Sequence, residues 1–155
     1  MRYWLTKTEP TTFSFDDLLR APRKTTGWDG VRNYQARNFL REMKKGDAVL
    51  VYHSNADPKA VVGIAEVVRE AYPDPTQFDR KDDHYDPDSS ADDPRWFQVD
   101  VRAVEKLSNP VTLEQMKLSK ELRGMPLLQR GNRLSVLPVS EAEFRAIVRM
   151  GKSGA

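Results

Sequence analysis

The apolar positions of this chain switch between two periods. After Asn33-Tyr34, residues Ala36, Phe39, Leu40 and Met43 recur at helical spacing, and Gly46 is placed to stop that helix. Ala48–His53 is an almost continuous apolar run, the mark of a central strand covered on both faces. The polar segment Ser54–Lys59 joins it to a second β-rich run, Val61–Val68, so the two are expected to pair as a hairpin. Gly63 within that run marks a bulge or a close backbone approach. From Trp96 to Val104 the pattern alternates: Phe97, Val99, Val101 and Ala103 face inward, and Trp96, Gln98, Asp100 and Arg102 fall on the polar side. Met1–Thr6 reads as a first strand, Ser14–Leu19 as a short capped helix, and Leu134, Val136 and Val139 as parts of a last strand. Thr112–Gln115 and Ser140–Glu143 both have capping-box spacing, and Phe144, Ile147 and Val148 give the second of these helices a buried stripe. Ser119 is placed to start a further short helix.

Strands therefore outnumber well-formed helices and do not alternate with long ones, which argues against a doubly wound sheet. The expected fold is α+β: one domain over residues 1–155, built on a curved, partly closed, barrel-like mixed sheet flanked by short helices. A length of 155 residues with 39% hydrophobic content supports one substantial core. The segment Tyr72–Pro94, residues 72–95 at most, has four prolines and is expected to be a long surface loop within the domain. It carries eight aspartates, no glutamate and only Arg80 and Lys81 as cations, a local charge of −6 against +2 for the whole chain, which leaves +8 on the rest. A body that basic is compatible with a polyanionic partner such as nucleic acid.

Cysteine is absent, so disulfides, thiolate nucleophiles and thiolate metal sites are excluded together. No phosphate-cradling glycine loop, nucleophile elbow or paired-histidine helix occurs. The aspartates and His84 of the long loop do not follow the calcium-loop order, and a solvated acidic loop is favoured over a metal site. No metal and no cofactor is expected. No run approaches membrane-spanning length, and Met1–Leu5 leads directly into a strand. These features predict a soluble cytoplasmic monomer, nucleoid-associated in a bacterium, with no membrane partner.

Binding chemistry is better represented than catalytic chemistry. The stretch Trp28–Asn38 packs aromatics, amides and arginines around a turn that opens a helix, a mixture suited to a flat polar ligand. Trp28, Tyr34, Tyr52 and Trp96 can stack on a base, and Thr8, Asn33, His53, Ser54 and Asn55 can meet its edge. Each segment has a plainer reading: a Trp in a turn that caps a core, or His53-Ser54-Asn55 as a strand end whose side chains cap local backbone groups.

Six segments, Tyr3–Pro10, Trp28–Asn38, Tyr52–Asn55, Tyr72–Thr76, Pro94–Trp96 and Arg133–Val136, occur in the order and spacing of the EVE domain, and the chain resembles that family from end to end. The resemblance implies a PUA-like fold related to the YTH domains that read methylated adenine in RNA. It implies a non-enzymatic reader of a modified base, foremost a modified cytosine in DNA. Carried onto this chain, it places the base pocket among Lys7 and Thr8, the turn holding Trp28, Val31 and Asn33, and the rim His53, Ser54 and Asn55. Trp28 would form a cage wall that Tyr34 or Trp96 completes, with Asn33 and Ser54 on the base edge. Arg32, Arg37 and Arg41, with Lys7, would contact phosphates. The rivals are a nuclease or hydrolase of modified nucleotides that uses His53, Lys7 or Glu9, and a module for an RNA base or a small ligand.

Overall fold

Trp4 and Leu5 are neighbours in the chain and both fully buried, yet they belong to different cores. Successive strand side chains point to opposite faces, so this pair already requires a sheet covered on both sides. The computed structural model describes residues 1–153. Its strands are Tyr3–Thr8 (β1), Thr25–Gly27 (β2), Ala48–His53 (β3), Ala60–Pro73 (β4), Phe97–Thr112 (β5) and Val136–Val139 (β6). Its helices are Phe15–Arg20 (α1), Tyr34–Glu42 (α2), Leu113–Leu118 (α3) and Glu141–Ser153 (α4).

The six strands form one sheet in the order β2-β5-β4-β3-β1-β6. The β1–β3 pair is parallel and the other pairs are antiparallel, so the sheet is mixed. β2 and β6 are its free edges, and the sheet is therefore not closed into a barrel. On one face Trp4, Val49, Val51, Val67 and Val99 pack against Phe15 and Leu18 of α1 and Ala36 and Leu40 of α2. On the other, Leu5, Leu50, Leu107 and Val111 pack against Met116 of α3 and Ala146 and Ile147 of α4. Trp4 donates its indole N–H to Asp47 Oδ2 at 3.0 Å, which satisfies the polar atom of a buried ring.

The hairpin of β3 and β4 forms as expected, and Gly63 shows both features proposed for it. The strand register shifts between Val61 and Gly63, and a Cβ at Gly63 would come within 2.5 Å of the Phe15 ring. β4 and β5 run well past the apolar stretches that marked them, and the three-residue β2 is too short to show a period. The helix expected at Ser119 is a single 3-10 turn, Lys120–Leu122.

The long acidic segment differs most from expectation. It is a surface excursion, but Asp74 and Gln77 within it are completely buried. The Gln77 amide donates to the carbonyls of Asp74 and Trp96 at 2.7 and 2.8 Å, and its oxygen accepts from Ser89 Oγ and Trp96 N. This cover also explains Trp96 and Gln98, assigned to a polar face but 6% and 5% exposed. Trp96 gives its indole N–H to Asp86 at 2.7 Å, and Gln98 donates to the Tyr72 hydroxyl, so the loop completes a polar but buried strand end.

Candidate functional site

A cavity of about 370 Å³ opens where β1 and β2 finish. Lys7 and Thr8 at the end of β1, Thr12 and Phe13 from the following loop, and Thr26 and Gly27 of β2 form part of its wall. Trp28, Asp29 and Gly30 continue it, and His84 of the acidic loop closes it. Local hydrogen bonds shape these segments. Thr8 Oγ1 donates to the Phe13 carbonyl at 2.7 Å, which folds the loop back toward the strand. The Phe13 ring meets Trp28 edge-on, with centroids 6.2 Å apart and planes at 85°.

The turn after Trp28 is held from below by the acidic loop. Asp29 N donates to the Gly27 carbonyl at 3.1 Å, and Gly30 N donates to Asp74 Oδ2 at 2.8 Å. Gly30 has φ +79°, and a Cβ there would come within 2.9 Å of His84 Nε2, so only glycine fits this turn against the imidazole. Asp74 also accepts from Arg32 Nη1 at 3.1 Å and from the Thr76 hydroxyl at 2.6 Å. Burial pushes the Asp74 carboxyl up, but the hydrogen bonds from Thr76, Gly30 and Arg32 outweigh it and hold the group below the ordinary carboxylate range.

Two charged groups of the cavity have no partner. Neither the Lys7 ammonium nor the Asp29 carboxylate has a hydrogen bond or ion pair among the described residues. Desolvation lowers the Lys7 pKa, with Lys59 adding to the effect. Desolvation raises the Asp29 pKa, reinforced by Asp74 and Asp82 and opposed by His84 and Arg32. Asp29 as a residue remains exposed, so water reaches its carboxylate in the free protein.

Of the base-pocket residues expected from the sequence, Lys7, Thr8 and Trp28 line this cavity. Trp28 is also core: it is 8% exposed and packs with the helices of its face, so the core-cap reading applies to a residue that also lines the cavity. The other expected residues do not line it. Val31 is 6% exposed and belongs to the same core. Asn33 caps α2 by accepting from Ala36 N at 3.0 Å. His53 lies in register with Thr8, but its Nε2 accepts from Phe15 N at 3.1 Å, and burial lowers its pKa, which favours this neutral acceptor. Ser54 N donates to the Thr8 carbonyl, and Asn55 takes a left-handed turn conformation with φ 48°. Tyr34 and Trp96 stack on each other at 4.8 Å and 20°, apart from the cavity lining.

The three arginines expected at phosphates differ in how far they are engaged within the protein. Arg32 is committed inside the protein, to Asp74, Thr76 Oγ1 and the His84 carbonyl. Arg37 donates to the Arg95 carbonyl and lies over Tyr34, and Arg41 lies over the Phe97 ring. Arg130 and Arg133, by contrast, are exposed and without partners among the described residues. They line a neighbouring groove with Asn33, Gln35 and Asn132. Ser135 ties this segment to the cavity by accepting from Lys7 N at 2.9 Å.

The sequence singles out none of Thr12, Phe13, Thr26, Gly27 and His84 as wall residues, and it places Asp29 and Gly30 only within the expected Trp28–Asn33 turn. The turn within Trp28–Asn38 is visible, but nothing in the sequence shows that His84 folds over Gly30 across 54 positions of separation. A larger and more apolar cavity, about 630 Å³, lies between α4 and the sheet at Tyr3, Ile64, Val104, Phe144 and Val148. Its walls are mainly apolar, and its charged members Glu66, Arg145 and Arg149 are ion-paired with Arg102, Glu141 and Glu121. Among the described residues no group of three His, Cys, Asp or Glu is arranged to hold a metal, and no helix is long and apolar enough to cross a membrane.

Known proteins with this architecture bear on the cavity. Thymocyte nuclear protein 1 from Mus musculus is 44% identical over 165 aligned positions, which span 96% of this chain and 73% of the mouse protein. A hypothetical protein from Leishmania major superposes with a TM-score of 0.92 at 46% identity, over 97% of this chain and 94% of that one. The human THYN1 protein, solved in complex with 5-methylcytosine-containing DNA, superposes with a TM-score of 0.94 at 39% identity over 100% of both chains. The family model for the EVE domain matches residues 2–150. The protein therefore belongs to the EVE domain family.

Proposed function

We propose that this protein is a reader of modified DNA, one that captures an extruded modified cytosine in the cavity bounded by Lys7, Trp28, Gly30 and His84. The observation that carries this reading is the match, over the whole of the solved chain, to human THYN1 in complex with 5-methylcytosine-containing DNA. The local chemistry agrees: a polar cavity with Trp28 and Phe13 in its wall is suited to a planar base. A base stacked inside duplex DNA cannot enter such a site. Extrusion costs a few kcal/mol, which stacking and edge hydrogen bonds in the cavity must offset. Arg130 and Arg133, together with the surface guanidinium groups of Arg37 and Arg41, would hold the backbone without reading sequence.

On this reading the protein is not an enzyme and returns its ligand unchanged, acting as a cytoplasmic or nucleoid-associated monomer whose whole chain is one domain. His53 and Glu9, which with Lys7 would serve a hydrolase, do not line the cavity. The test is an anisotropy titration at fixed low salt with duplexes identical except for cytosine or 5-methylcytosine at one position, with the oligonucleotide recovered afterward. Tighter binding of the modified duplex and intact recovery are expected. Equal binding, or cleavage of the probe, rejects the reading; competition by RNA or free nucleoside in the same assay would redirect it to those ligands.

A further inference from the structure

Capture of a methylated cytosine raises a problem of discrimination. Thymine carries the same ring and the same 5-methyl group, so neither a methyl contact nor a stacking face separates the two. They differ on the Watson–Crick edge: cytosine has a 4-amino donor beside the N3 and O2 acceptors, whereas thymine has a carbonyl at position 4 and an N–H at N3.

The cavity holds a donor and an acceptor for which the protein supplies no partners. Lys7 arrives from the end of β1 and Asp29 from the turn after β2, so they reach the space from different elements. Neither pairs with the other or with any described residue. Neighbouring charges are already engaged, Arg32 with Asp74 at 3.1 Å and His84 Nδ1 with Asp82 at 3.1 Å. Trp28 lines the same cavity, and Gly30 lets the backbone turn against the His84 ring. A ligand that desolvates Lys7 and Asp29 must supply an acceptor to one and a donor to the other, or leave both unsatisfied.

Resting on the reader proposal above, we infer that Asp29 and Lys7 read the Watson–Crick edge of the extruded base. Asp29 accepts from the 4-amino group and Lys7 donates to the N3/O2 acceptor side, so the site takes 5-methylcytosine and rejects thymine. With thymine in the same pose, the O4 lone pairs face the Asp29 carboxylate and the N3–H faces the Lys7 ammonium. The Asp29 contact changes from attraction to repulsion, and Lys7 keeps only the O2 acceptor that both bases share.

The test uses three duplexes identical except for a 5-methylcytosine·guanine, cytosine·guanine or thymine·guanine pair at one position. The thymine mismatch is the easiest of the three to extrude, so a preference for 5-methylcytosine over it must come from the site. The wild-type protein is expected to bind 5-methylcytosine at least about tenfold more tightly than thymine. In Asp29→Asn the amide can present either its oxygen or its N–H. The 5-methylcytosine-to-thymine ratio should therefore fall to within about twofold, while the 5-methylcytosine-to-cytosine ratio is kept. Lys7→Met keeps most of the stem; it should weaken 5-methylcytosine binding about tenfold and still reject thymine. A wild-type protein that prefers 5-methylcytosine to cytosine yet binds thymine equally well overturns the edge assignment alone. So does an Asp29→Asn variant that keeps its discrimination. Loss of the 5-methylcytosine preference over cytosine in the wild type overturns the reader proposal and the edge assignment together.

Discussion

Asp74 accepts the backbone N–H of Gly30 at 2.8 Å across 44 positions of sequence, and this bond fastens the acidic loop to the turn that forms one side of the cavity. The same carboxylate neutralises Arg32, so one buried group fixes the turn and positions the loop that carries His84. The loop thus acts as a strap behind the site.

Asp74→Ala should destabilise the fold by about 2–4 kcal/mol, because it leaves Arg32 and the Gly30 N–H without their buried acceptor. The Asp74 carboxyl is held below its ordinary range, so its contribution is complete above the unfolded value of about 3.9 and is lost as pH falls through the folded value. Urea titrations between pH 3 and 7 should show this acid-side loss in the wild type and a flatter profile in Asp74→Asn.

Asp29 has the opposite sign. Its pKa is raised, first by desolvation and then by Asp74 and Asp82, against His84 and Arg32, with unpaired Lys7 also in the cavity wall. Its ionised form therefore lowers stability as pH rises from the unfolded value of about 3.9 toward the folded one. Asp29→Asn should melt slightly higher than the wild type at pH 7 and lose that advantage at pH 3.5. A variant that melts lower at pH 7 would show that the carboxylate supports the fold.

Trp28 serves both the core and the cavity, so truncation confuses the two roles. Trp28→Ala should cost about 3–5 kcal/mol of stability, as expected for a large ring removed from a core. Trp28→Phe keeps an aromatic face with less area; it should fold and bind 5-methylcytosine DNA about three- to thirtyfold more weakly, the loss of part of one stacking contact. Thermal melts and matched binding titrations separate the effects.

Arg133→Ala should weaken modified and unmodified duplexes alike and lower the slope of log affinity against log salt by about 1. Arg32→Ala should act instead through stability, because its guanidinium is spent on Asp74, Thr76 and the His84 carbonyl. Affinity measured between 50 and 200 mM salt, with melts as control, distinguishes the two arginines.

The elements that repeat a period were legible in the sequence. Ala36, Leu40 and Met43 marked α2, and the run at Ala48–His53 marked the central β3, because burial imposes those spacings. Three residues of β2 impose none. The site was legible only where a wall residue lies within a local motif, as with Lys7 and Thr8 at a strand end and Trp28 before a turn. His53 and Asn33 looked like ligand contacts, because residues that cap a helix are the same polar types that bind a base. His84 and Asp74 could not be placed, because a loop bond between positions 30 and 74 leaves no periodic trace.

The most direct test of the account is a two-dimensional amide and indole NMR titration with a duplex carrying one 5-methylcytosine and with its unmodified twin. Base capture in this cavity predicts that the backbone signals of Thr8, Gly27, Asp29 and Gly30 and the Trp28 indole N–H shift strongly with the modified duplex and far less with the unmodified one. Shifts confined to the exposed arginines and equal for both duplexes, or centred on the cavity beneath α4, would contradict it.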